Sequence, residues 1–167
     1  MTKSPPIQMW LRDAILQFCN ELPKGVAELR IKPNQPATVF AADIIPRSTK
    51  ASRISVAAEE GEWEALVAFG SKSQLNARYY DRPDADRLFK EEVLKICRSI
   101  ADSHWQERVL LRGDRVVKCW AMLPSPIGRV RTPGVWLFLP LWKKKTEKVI
   151  DWEPYVCNEH GVPEKRS

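Results

Sequence analysis

With 167 residues, 44% of them hydrophobic and 29% charged, the chain has enough apolar material to bury about two-thirds of its unfolded surface, which excludes an intrinsically disordered protein. No apolar run approaches the roughly 20 residues that cross a bilayer, and Arg12 and Asp13 interrupt the first apolar segment, so a cytoplasmic protein without a membrane partner is the expectation. The formal charge of +6 favours acidic partners. In a reducing compartment Cys19, Cys97, Cys119 and Cys157 are expected as free thiols.

In chain order, Ser4 is placed to cap a helix and Pro5 to open it. Ile7, Leu11, Ala14, Ile15, Phe18 and Leu22 recur at helical spacing and predict an amphipathic helix that ends near Pro23. Val26 to Ile31 alternates as a half-buried strand, and a second strand follows from Thr38 to Ile45. Arg53 to Glu59 and Glu62 to Phe69 flank Glu60-Gly61, a hairpin signal. On these strands Ile54, Val56 and Ala58 share a side with Trp63, Ala65, Val67 and Phe69. Leu75 to Tyr80 is compatible with a short strand or an irregular lead-in.

Asp84 to Ser103 predicts a second helix, with Phe89, Val93, Ile96 and Ile100 as its apolar stripe and acids near its start, where negative charge suits the helix dipole. Arg108 to Arg112 and Arg115 to Leu123 flank a second hairpin signal, Gly113-Asp114. Val130 and Val135 to Leu141 are strand material, Lys143 to Thr146 an exposed turn, and Lys148 to Trp152 a return strand. The prediction is an α+β fold: an antiparallel sheet of about six to eight strands with two amphipathic helices, in the order α-ββββ-α-ββββ. Residues 1–156 are expected to form one domain and 157–167 a flexible tail.

Charge is unevenly spread. Arg112 to Lys148 holds nine cations and two acids, a net +7 that exceeds the charge of the whole chain. Strand periodicity sorts this stretch into two faces. Val117, Cys119, Ala121 and Leu123 form an aliphatic side, as do Leu137, Leu139 and Leu141. The opposite side is basic and aromatic: Lys118, Trp120, Arg129, Arg131, Trp136 and Phe138, with Trp142, Lys143, Lys144 and Lys145 at its end. Indole rings supply apolar anchors and cations hold carboxylates or phosphates, so these ten residues are the predicted partner-binding set. A helix laid over the tryptophans would reduce the same residues to core and rim.

Other chemistry is poorly supported. Cys157 and His160 make half a zinc site without a second pair. Cys97 and His104 are seven residues apart, about 10 Å along a helix and too far for a nucleophile and its base. Glu59, Glu60, Glu62 and Glu64 cluster at the first hairpin, but a solvated strand face explains them. There is no phosphate-cradling glycine loop. No catalytic residue, metal or cofactor is therefore assigned.

The expectation is a non-enzymatic binding module for an acidic protein partner, of adaptor or immunity-like type. Nucleic acid on the same face is the alternative, and a metal-dependent enzyme built on the acidic hairpin a weaker one. The element order resembles that of small adaptor, chaperone and toxin-immunity proteins, a likeness of order that carries no function. Oligomeric state is not legible.

Overall fold

A computed structural model describes residues 6–133 and 144–156. In chain order the elements are α1 (Ile7–Glu21), β1 (Ala27–Ile31), β2 (Val39–Pro46), β3 (Ile54–Glu59), β4 (Glu64–Phe69), β5 (Ser73–Arg78), α2 (Ala85–Ala101), β6 (Trp105–Arg112), β7 (Arg115–Met122), β8 (Arg129–Pro133) and β9 (Lys145–Trp152). The class is α+β and all strand pairing within the sheets is antiparallel.

The described strands number nine and fall into two sheets, ordered β1-β2-β3-β4-β5 and β8-β7-β6-β9, where one sheet of six to eight strands was predicted. The division falls at α2. After β5 the chain enters α2 instead of a further hairpin, and β6 then starts a ladder of its own. The undecided stretch after Gly70 supplies the ninth strand: β5 pairs with β4 over its whole length, from Phe69↔Ser73 to Glu64↔Arg78.

Helix α1 buries the predicted stripe Ile7, Leu11, Ala14, Ile15 and Phe18, and α2 buries Phe89, Val93, Ile96 and Ile100. The helices pack on each other and on the inner face of the first sheet. That face supplies Phe40, Ala42, Ile44, Ile54, Val56, Ala65, Val67 and Phe69 to the core. Helix α1 starts at Ile7, later than predicted, with Pro6 in the cap position and no side-chain cap. Ser4 and Pro5, the predicted cap and first helical residue, lie outside the described residues.

Two further predictions are corrected. β4 begins at Glu64, not at Glu62, so Trp63 precedes the strand; its ring leans on Tyr79 on the side of the helices and is 60% exposed. Lys145 and Thr146 are strand, not turn, because β9 matches all eight residues of β6, from Trp105↔Trp152 to Arg112↔Lys145. The strand predicted at Val135 to Leu141, Lys143 in the lysine turn and the tail at 157–167 lie outside the described residues.

The second sheet meets the first through aromatic and polar contacts. Trp105 meets Phe69 edge-on, centroids 5.4 Å apart, and stacks on Trp152 at 5.8 Å. The Gln74 amide donates to Thr132 Oγ1 (3.2 Å), which joins β5 to β8. Tyr155 Oη donates to the Ser52 carbonyl (2.8 Å), and the Tyr155 amide donates to the Ala101 carbonyl (2.7 Å) at the end of α2. No helix among the described residues is long and apolar enough to cross a membrane.

Candidate functional site

Register defines the outer face of the second sheet. Opposed residues in an antiparallel ladder share a face. Met122 stands opposite both Arg129 on β8 and Gln106 on β6. Trp120 stands opposite both Arg131 and Arg108, and Arg108 in turn opposite Val149. Lys118 is opposite Leu110. The alternate residues Val117, Cys119, Ala121 and Val130 are buried on the other side, as the alternation predicts. Arg129, Arg131 and Arg108 are exposed, and Met122 and Val149 are 45% and 46% exposed, so this face is open to solvent.

Trp120 is at its centre. Lys118 Nζ is 5.4 Å from the ring centroid and the Arg129 guanidinium carbon 5.5 Å, cation–π distances that hold the two charges beside the half-buried ring. Toward β9 the charges are compensated: Arg108 pairs with Glu147 (3.4 Å) and Gln106 donates to Asp151 (2.8 Å). Toward β8 they are not. Among the described residues no carboxylate pairs with Lys118, Arg129 or Arg131.

Of the ten predicted binding residues, Lys118, Trp120, Arg129 and Arg131 are thus brought together. Lys145 stands opposite Arg112, farther along the sheet, and Lys144 is exposed just before β9. Trp136, Phe138, Trp142 and Lys143 lie outside the described residues.

The sequence reading missed Arg108 on this face and Glu107 on the opposite one. A two-residue turn at Gly113-Asp114 would put Arg108 opposite Cys119. The register instead shifts between Leu110 and Leu111, a bulge that leaves Val117 extra on β7 and sets Arg108 opposite Trp120. The available signal was the run Trp105, Glu107, Val109, in which period two puts one carboxylate among buried residues.

Glu107 is fully buried and collects five donors. The amides of Ser71 (2.7 Å) and Lys72 (3.0 Å), Ser73 Oγ (2.8 Å), Trp152 Nε1 (3.3 Å) and Cys119 Sγ (3.3 Å) all point at its carboxylate. Burial pushes its pKa up, but the Ser71 and Lys72 amides and the Ser73 and Ser71 hydroxyls outweigh this and hold it below the usual carboxylate range. Adjacent turn amides aimed at one point make an anion site; here the chain's own Glu107 fills it. A recess of about 450 Å³ beside this turn is lined by Arg53, Ser71, Lys72 and Gln74. Three more of its donors are committed: the Gly70 amide to Ser52 Oγ (2.7 Å), the Gln74 amide to Thr132, and Arg53 to Asp43.

Cysteine chemistry finds no support in the geometry. Burial pushes the Cys97 thiol up to about 12 and the Cys19 and Cys119 thiols to about 11, so all three are protonated near neutral pH. His104 is exposed beyond the end of α2, whereas Cys97 is buried in it. Among the described residues no three His, Cys, Asp or Glu side chains come together to hold a metal ion. Cys157 and His160 lie outside the described residues.

No family model, curated protein or solved structure matches this chain.

Proposed function

We propose that this protein is a non-enzymatic binding module whose second sheet takes a short acidic segment of a protein partner on its outer face. The observation that carries this reading is the triad Lys118, Arg129 and Arg131 beside Trp120 on an open sheet face, with no ion pair among the described residues. A cation held beside an aromatic ring is already desolvated on one side, which lowers the cost of pairing it with a carboxylate. Met122 and Val149 add apolar ground on which side chains between those carboxylates can rest. Trp and Arg side by side are the residue types that most often dominate a protein interface.

Two observations favour an acidic protein segment over nucleic acid. Lys118 and Arg129 both lie against the Trp120 ring, so a base can stack there only by displacing a cation. Met122 and Val149 put exposed apolar side chains beside the cations, which match apolar side chains set between carboxylates and have no counterpart in a phosphate backbone.

The test is anisotropy of a labelled peptide that alternates glutamate with leucine and carries one tryptophan. Wild type binds it, and the Arg129→Ala/Arg131→Ala double variant loses at least about tenfold in affinity. An oligonucleotide of equal charge competes only weakly. Equal binding by wild type and the double variant contradicts the proposal. Stronger binding of the oligonucleotide, with a steep salt dependence, moves the face to the nucleic-acid alternative.

A further inference from the structure

The acidic counterpart of this face is present in the same chain. At the turn between β3 and β4, Glu59, Glu60 and Glu62 are all exposed, and among the described residues none of them is in an ion pair. Gly61, at φ +88°, allows the sharp reversal that groups them. Glu64 begins β4 and accepts from Asn76 Nδ2 at 2.7 Å. Together with Val39, Ala57 and Leu66, the residues Glu59, Glu62 and Glu64 line a shallow depression of about 460 Å³.

Trp63 stands within this turn, and its exposure has a built support. The ring leans on Tyr79 (5.3 Å between centroids), Tyr79 on Trp10 (5.9 Å), and Trp10 on the buried Phe89 (6.1 Å). The Tyr79 amide also donates to the Trp63 carbonyl at 2.8 Å. A tryptophan held at the end of a ladder of rings loses little freedom when it is covered, which is the property of an interface anchor.

The two patches match in kind and in number. One presents three carboxylates in the turn that carries Trp63, the other three cations beside Trp120, and among the described residues none of the six is in an ion pair. They belong to different sheets, and within the chain no member of one pairs with a member of the other. We infer that the acidic partner of the basic face is a second copy of this chain, which docks the Glu59–Glu64 turn and Trp63 against Lys118, Trp120, Arg129 and Arg131.

Such a contact joins unlike surfaces. It closes into a dimer if the two junctions are reciprocal, and otherwise extends head to tail. The net charge of +6 opposes approach at very low salt. At ~0.1 M salt the Debye length is about 10 Å, so overall repulsion is screened while ion pairs in contact persist. Association is therefore strongest at intermediate ionic strength and is lost near ~1 M.

The experiment is sedimentation of the full chain at ~0.1 M salt. Wild type is expected to rise with concentration from the monomer mass of 19.2 kDa toward twice that value or beyond. Glu59→Arg/Glu62→Arg alone and Arg129→Glu/Arg131→Glu alone remain monomeric, with far-UV circular dichroism that matches wild type, because all four positions are exposed. An equimolar mixture of these two variants forms a one-to-one complex, since the intact turn of one meets the intact face of the other. A wild type that stays monomeric throughout, or a mixture that does not associate, overturns the inference.

The inference rests on the binding-face reading, and a peptide of residues 57–66 separates the two. If the wild-type chain stays monomeric but binds this peptide through Arg129 and Arg131, self-pairing is wrong and the face reading stands. If it neither associates nor binds the peptide, both fall.

Discussion

Two groups of charge in the second sheet are separated by the thickness of one strand ladder and treated in opposite ways. On the inner side Glu107 is sealed from water and met by five donors. On the outer side Lys118, Arg129 and Arg131 stand beside an aromatic side chain and, among the described residues, have no carboxylate partner. A buried charge must be satisfied inside the chain or it destabilises the fold. An exposed one is tolerated unpaired, and when several of like sign stand together around a ring they are available to something else. The contrast separates residues that hold the two sheets together from residues that can engage a partner, and variants on the two sides should fail in different assays.

The largest stability effect is expected at the inner side. Glu107→Ala strands the Ser71 and Lys72 amides and the Trp152 indole without an acceptor, and should cost about 3–5 kcal/mol in a denaturant titration. Glu107→Gln keeps the shape and one acceptor oxygen and should cost less. Next comes Gly70→Ala. Gly70 has φ +62°, and an added Cβ would lie 2.7 Å from Glu107 Oε2, so strain and a displaced carboxylate act together for about 2–4 kcal/mol. If either substitution left stability unchanged, Glu107 would not be the link between the sheets.

The same carboxylate sets an acid response. Its folded pKa is lowered, so its contribution is fully present above the unfolded glutamate value of about 4.3 and is lost as pH falls through the lowered folded value. Asp43 acts in the same sense: burial raises its pKa, but hydrogen bonds from Ser55 Oγ (2.6 Å) and Arg53, with the nearby charges of Arg53 and Lys32, bring it below the ordinary value. Denaturant titrations from pH 6 down to about pH 3 should show stability falling below about pH 4.5. In the Glu107→Gln variant that fall should be shallower. A fall of equal steepness in both would place the acid sensitivity elsewhere.

The smallest stability effects belong to the outer side. Arg129→Ala and Arg131→Ala should change stability by less than about 0.5 kcal/mol, because both side chains are exposed and neither has an ion pair among the described residues. Their effect should appear in peptide affinity. Trp120→Ala should lower affinity as well, with a modest loss of stability from its half-buried ring.

Much of this division was legible in the sequence where period two was unbroken. Val117, Cys119 and Ala121 are buried while Lys118, Trp120 and Met122 face out, as alternation requires. The stripe Phe89, Val93, Ile96 and Ile100 likewise marks the buried side of α2. What the pattern did not convey was long-range pairing. Nothing local to Lys145 says that β9 extends to match eight residues of β6, and nothing local to β5 says that its sheet ends there. The bulge at Val117 had the largest consequence, because a one-residue shift decides whether Arg108 or Glu107 stands beside Trp120. The first hairpin shows the converse error. Alternation carried the strand back to Glu62 and put Trp63 on the side of Ala65 and Val67, but the turn takes up that residue before the ladder starts, and the ring, resting on Tyr79, stays exposed.

The most direct measurement is a backbone amide chemical-shift titration of the full chain with the glutamate-rich, tryptophan-bearing peptide. Perturbations concentrated at Lys118–Met122 and Arg129–Arg131, with the Ser71 and Lys72 amides that hold Glu107 unmoved, are the predicted result. Perturbations centred anywhere else in the fold, or none at saturating peptide, would contradict the assignment of the outer face of the second sheet as the binding surface.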